Sequence, residues 1–130
     1  MKDIITIIII LVLILGGAYL TSRYLKQTTG ELITQIGNMN KKLEKALETD
    51  ERKEIIEEAE RIQNMWEQIE KVWGIIILHE ELDNIKSSIY KLRSNAEYGE
   101  IHDCLEEVEK LKFLIGHIRE KDQLSIVNIF

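Results

Sequence analysis

Proline is absent from this 130-residue chain, and cysteine occurs once, at Cys104. A single thiol excludes an intramolecular disulfide and gives no information about the redox compartment. Without proline, no residue in the chain obligatorily breaks a helix. Together with 31% charged residues, this composition is typical of long helices that carry salt bridges.

An excess of basic residues is also missing. The formal net charge is −6, from 17 basic and 23 acidic residues. Three of the basic residues and one acid fall in the segment that ends at Lys26, which leaves fourteen basic and twenty-two acidic residues in the rest of the chain. Such an acidic surface repels phosphate backbones, so we expect no nucleic-acid partner.

Motifs that carry chemistry are missing as well. Neither HExxH nor CxxC occurs, and the Ser87-Ser88 pair has no histidine placed to activate it. Cys104 falls on the apolar side of its helical pattern beside Asp103, which predicts a buried and unreactive thiol. We therefore predict no catalytic residue, no cofactor and no small-molecule substrate.

The most distinctive feature present is the apolar run Ile4–Leu20. Its seventeen residues meet the lower limit for a helix that spans a membrane, about 17 residues. Tyr19 and Tyr24 mark its downstream end, as aromatic residues do at membrane interfaces. We predict a membrane anchor over residues 1–23 and a helical bundle domain over residues 24–130.

A cleaved secretory signal is the alternative interpretation of this run. Lys2 would provide the basic start, the aliphatic residues the apolar centre, and Gly16-x-Ala18 the small residues of a cleavage site. The distinction decides whether the mature protein is membrane-bound or secreted.

Two arguments about orientation oppose each other. Arg23 and Lys26 outnumber Lys2, which by the positive-inside rule favours a cytoplasmic bundle. The short tail ahead of a signal-like run favours the opposite side. We expect a single-pass protein of the cell membrane with an extracytoplasmic bundle.

Beyond the anchor, apolar residues recur at intervals of three and four, as on one face of a helix. Turn signals at Glu48–Asp50 and at Gly99 divide these stripes. The residues that we expect in the structural core are Trp66, Trp73, Leu82, Ile85, Ile115 and Ile118.

The stripes on either side of Gly74 are out of register. At about 100° per residue, the Ile55–Trp73 and Leu78–Ala96 stripes point about 150° apart on a straight helix. Either the chain turns at Gly74, giving segments 24–48, 51–73, 75–97 and 100–122, or one helix runs from 51 to 97. The second arrangement would drive charged residues into lipid unless the chain bends at Thr28–Gly30.

We expect the turn. The predicted fold is therefore all-α, with one N-terminal transmembrane helix followed by an antiparallel bundle of three to four helices.

His79 and Asp83 are four residues apart and face the same way on a helix. They are candidate ligands of a metal site completed by His117, or by His102 and Cys104. The alternative is a structural His–Asp pair. His117 lies about 150° from the apolar stripe of its helix and so faces solvent, and we predict the pair and no metal site.

The chain ends in a second apolar segment, Leu124–Phe130. An exposed apolar patch of this size is unfavourable, and in an up-down-up-down bundle the last helix returns toward the anchor. We predict that this tail docks on lipid, on a partner, or back against Trp73 and Ile75–Leu78 of the bundle. The candidate contact residues are Ile126, Val127, Ile129 and Phe130.

Four segments together resemble a known family. They are Trp66…Trp73, His79-Glu-Glu-Leu-Asp-Asn-Ile85, Leu111–Ile118 and Leu124–Phe130. The chain is similar over its whole length to domain of unknown function 4363, a family of small anchored proteins of Gram-positive, largely spore-forming bacteria. The resemblance implies no activity or cofactor. It implies association with an integral membrane protein of the YetF type. Gly74 departs from the better helix former that the family would lead us to expect.

The sequence as a whole favours a non-catalytic, membrane-anchored interaction or accessory protein of a membrane complex. One alternative is a helical domain that senses a ligand or metal near His79 and Asp83. Another is a helical protein secreted after cleavage behind Ala18.

Overall fold

The structure is a computed structural model that describes residues 1–49 and 51–129, with side chains described as far as Asp122. Within this part of the chain there are four α-helices and no strand. The helices are α1 (Lys2–Thr49), α2 (Lys53–Ile76), α3 (His79–Tyr98) and α4 (Ile101–Ile129).

The helices pack in chain order around a common core. α1 contacts α2 and α4, and α3 contacts the same two helices. Polar contacts show that neighbouring helices are antiparallel. Lys42 of α1 meets Glu58 of α2, and Ser22 of α1 donates a hydrogen bond of 3.1 Å to Asp122 of α4. The predicted all-α fold, an apolar N-terminal helix followed by an antiparallel bundle, is confirmed.

The core follows from the alternating intervals of three and four in each helix. This spacing places one apolar seam along each helix toward the bundle axis. Leu78 begins a predicted stripe but is exposed, because it precedes α3. In α1, Ala46 takes the inward position and Leu47 is exposed. The buried apolar residues at these seams include Leu32, Ile36, Met39, Ile62, Trp66, Trp73, Leu82, Ile85, Ile89, Leu111, Ile115 and Ile118.

The chain turns between α2 and α3, as the register shift predicts, but not at Gly74. α2 continues through Gly74 to Ile76, and the turn consists of Ile77 and Leu78, both in extended conformations. Extended backbone suits the β-branched side chain of Ile77. The predicted position of the turn was therefore wrong by three residues.

α1 shows no break at Thr28–Gly30. The Thr28 and Thr29 hydroxyls donate to backbone carbonyls one turn earlier, those of Tyr24 at 2.8 Å and Leu25 at 2.7 Å. Bonded in this way, threonine is accommodated inside a helix. The apolar run and the first bundle helix are thus one helix of 48 residues, about 72 Å long at 1.5 Å per residue.

Candidate functional site

The apolar run of α1 lies outside the bundle. Its large side chains from Ile4 to Leu20 are 47–68% exposed, and the first buried residue of α1 is Leu25. Within the described residues, α1 is the one helix long and apolar enough to cross a membrane. A signal sequence near the N-terminus would have the same properties.

At the end of the bundle beside this run, residues of all four helices and of the α2–α3 turn meet. Trp73 Nε1 donates a hydrogen bond of 3.0 Å to Thr28 Oγ1, which joins the end of α2 to α1. Nearer the apolar run, a cavity of about 240 Å³ lies where the α2–α3 turn faces α1 and α4. The described residues around it are Leu25, Ile76, Ile77, Leu78, Glu81, Ile118, Lys121 and Asp122.

An open groove of about 1180 Å³ follows α1 from Ala18 to Gln35 and reaches Met65 of α2. Small residues recur along it at multiples of four positions, and long side chains flank them. A Cβ built on Gly30 meets no atom within 4 Å. Because its lining runs from Ala18 to Gln35, the groove begins at the level of the apolar run and continues along the bundle. Its small residues are Ala18, Ser22, Gly30 and Thr34.

A buried carboxylate of α2 forms an ion pair with α1. The Glu58 side chain is 1% exposed, and its Oε2 accepts from Lys42 Nζ and Arg61 Nη1, each at 2.8 Å. Two cations on Oε2 offset part of the cost of burying this charge, while Oε1 has no partner among the described groups. Sequence reasoning missed Glu58, because a glutamate beside an apolar stripe is usually solvated. The i,i+3 spacing of Glu58 and Arg61 was the one available signal.

The histidine and carboxylate candidates do not converge. His79 and Asp83 are both exposed, and neither a hydrogen bond nor an ion pair joins these two described side chains. The predicted pair was therefore wrong. Exposed side chains gain little from pairing in water. His102 is also exposed, and His117 stacks on Phe113 at 6.3 Å between ring centres. Among the described residues, no three His, Cys, Asp or Glu side chains are grouped to hold a metal.

Cys104 is buried in the core, on the inner side of α4. Burial disfavours the thiolate and raises the pKa of this thiol to about 11. At neutral pH it is a protonated, inert side chain.

The predicted core residues all lie inside the bundle. Trp66, Trp73, Leu82, Ile85, Ile115 and Ile118 are each at most 4% exposed. The two tryptophan rings meet edge to face, with centres 5.7 Å apart. The tail candidates lie outside the described residues: this holds for the side chains of Ile126, Val127 and Ile129 and for the whole of Phe130.

These features define a class of small all-α protein in which a four-helix bundle continues directly into an exposed apolar helix. Residues 19–129 match the model of the family described as Domain of unknown function (DUF4363), and the chain belongs to that family. The family resemblance seen in the sequence is thus confirmed over residues 19–129, a range that leaves out most of the apolar run. No curated protein and no solved structure matches the chain.

Proposed function

We propose that this protein is a non-catalytic, single-pass accessory subunit that holds its bundle on the extracytoplasmic surface of the cell membrane beside an integral membrane partner. The observation that carries the proposal is the continuity of α1. The helix passes without interruption from the exposed apolar run into the buried core, so the bundle is joined to its anchor without a flexible linker.

The use of the buried polar groups supports a non-catalytic role. Trp73 bonds to Thr28 at 3.0 Å, and Ser88 donates a hydrogen bond of 2.6 Å to Glu107. Both contacts join neighbouring helices, as the Lys42–Glu58 ion pair does. Their polar atoms serve helix pairing.

The groove along α1 supports an integral membrane partner. It starts at Ala18, within the apolar run, and extends to Gln35, beside the bundle. An occupant that fills it would run about 25 Å along α1, at 1.5 Å per residue. It would leave the membrane at the same level as α1 does. A helix of a membrane protein fits this description, and small residues permit the close approach of two helices. The family resemblance favours a partner of the YetF type.

Retention of the anchor is tested by the intact mass of the native protein recovered from washed membranes. We expect the full chain in the membrane fraction after treatment with high salt and carbonate. Recovery of a soluble protein that lacks residues 1–18 would contradict the anchor and support secretion.

The partner is tested by affinity capture from detergent-solubilised native membranes with a matched pair of variants. Gly30→Leu fills the groove, whereas Gly116→Leu makes the same change on α4, where an added Cβ also meets no atom within 4 Å. We expect Gly30→Leu to lose an integral membrane partner that the wild type and Gly116→Leu retain. Equal capture by both variants would show that the groove does not hold the partner.

A further inference from the structure

The connection between α2 and α3 differs in character from the two connections at the opposite end of the bundle. Those connections carry Glu51 and Arg52, and Gly99 and Glu100. The α2–α3 connection and the end of α2 read Ile75-Ile76-Ile77-Leu78, with no polar side chain. We name Ile75–Leu78 the apolar tip.

Only part of the apolar tip is packed against the core. Ile77 packs against the core, but Ile75 is 84% exposed, Leu78 67% and Ile76 37%. Three large aliphatic side chains at a turn make a local apolar patch, which in water is unfavourable.

The position of the apolar tip on the molecule indicates what covers it. Trp73 bonds to Thr28, and the following residues of α2 share a cavity with Leu25. The tip is therefore level with the segment of α1 just after Leu20, about 7.5 Å along the axis from the end of the apolar run at 1.5 Å per residue. This is the expected depth of the membrane interface, where Tyr19 and Arg23 also lie.

Charged residues limit how deeply the apolar tip can enter. His79, Glu80 and Glu81 follow Leu78 directly, and Lys121 forms an ion pair with Glu81 at 2.6 Å. Charged groups are costly in the hydrocarbon centre but tolerated at the interface. Both signs of charge occur around the tip, so attraction to acidic headgroups is not the main interaction.

We propose that the apolar tip is a second membrane contact: Ile75, Ile76 and Leu78 insert into the interfacial layer of the bilayer beside the anchor. The inference rests on the proposed anchoring of α1. With two points of contact, the bundle has a fixed tilt and rotation relative to the membrane, and the groove on α1 faces a defined direction.

The experiment uses full-length protein in phosphatidylcholine vesicles, with Cys104→Ala as background and one new cysteine for an environment-sensitive fluorophore. The labelled variants are Ile75→Cys, Leu78→Cys, Tyr98→Cys and Leu11→Cys. Tyr98 is the matched control, because it is 85% exposed at the far end of the bundle. Quenching is measured with nitroxide lipids that carry the spin label near the top of the acyl chain or near its end.

We expect the labels at 75 and 78 to lose emission with the shallow nitroxide, the label at 11 with the deep one, and the label at 98 with neither. Quenching at 11 but not at 75 or 78 would overturn the tip contact and leave the anchor intact. Equal quenching at 75 and 98 would overturn it too, because the bundle would then lie on its side. No quenching at 11 would overturn the anchor and the inference that rests on it.

Discussion

Trp66 and Trp73 occupy equivalent positions one heptad apart in α2, and both are fully buried. They differ in whether the indole N–H has a hydrogen-bond partner. The Trp73 N–H reaches Thr28 Oγ1, whereas the Trp66 N–H has no partner among the described groups. A buried donor without a partner costs free energy, so the same side chain stabilises the two positions to different extents.

This difference predicts the outcome of a matched pair of substitutions. Trp73→Phe and Trp66→Phe remove similar apolar volume, but only Trp73→Phe also removes a hydrogen bond. We expect Trp73→Phe to lower the free energy of unfolding by about 1 kcal/mol more than Trp66→Phe does. Urea titration of the detergent-solubilised protein, followed by circular dichroism, measures both. Equal losses would show that the Thr28 contact contributes little.

Cys104 predicts a pH dependence of stability. Its pKa is raised by burial from 9.0 to about 11. Between these values the unfolded chain releases the thiol proton while the folded chain retains it, so stability falls as the pH rises from 9.0 to about 11. We expect Cys104→Ala to make this fall less steep, as measured by urea midpoints below and within the window. An equally steep fall in the variant would contradict the assignment.

At the scale of elements, two glycines have different roles, because α2 continues through Gly74 whereas Gly99 lies between α3 and α4. Gly74 lies inside α2 with open space around it, whereas a Cβ on Gly99 would lie 2.9 Å from Asn95 Cα. We expect Gly74→Ala to raise the free energy of unfolding by about 0.5–1 kcal/mol, and Gly99→Ala to lower it. Thermal unfolding of the two variants measures the signs. A loss of stability in Gly74→Ala would indicate that the glycine is needed where it stands.

The helices of this protein were predictable because their apolar spacing is regular, and the α2–α3 turn because the register shifts by about 150° at 100° per residue. Its position was not predictable. Ile75–Leu78 has the composition of a core segment, whereas Gly74 has that of a break. The buried Glu58 and the groove were also missed, since both depend on how neighbouring helices meet.

At the scale of the whole molecule, α1 serves two purposes along one axis. Its first part is exposed, and the part from Leu25 onward supplies one of the four apolar seams that form the core. The boundary between the two parts is therefore set by packing: no residue of α1 before Leu25 is buried, although Ser22 bonds to Asp122 and Tyr24 packs against the core, and the residues from Leu25 onward are integral to the bundle.

This boundary predicts how the bundle responds to truncation. A fragment of residues 21–130 retains Leu25 and Thr28, so we expect it to be helical and to unfold cooperatively. A fragment of residues 31–130 loses the burial of Leu25 and the hydrogen bond of Trp73. We expect it to be less stable by about 2–4.5 kcal/mol, from about 1.5–3 for the leucine and 0.5–1.5 for the hydrogen bond.

Urea unfolding followed by circular dichroism measures both fragments, and tryptophan emission reports on the exposure of Trp73. In the shorter fragment the emission should shift to the red, because the indole loses its cover from α1. Residues 21–130 without a cooperative transition would mean that the bundle needs the membrane span to fold. Equal stability of the two fragments would mean that the contacts of Leu25 and Thr28 are not part of the core.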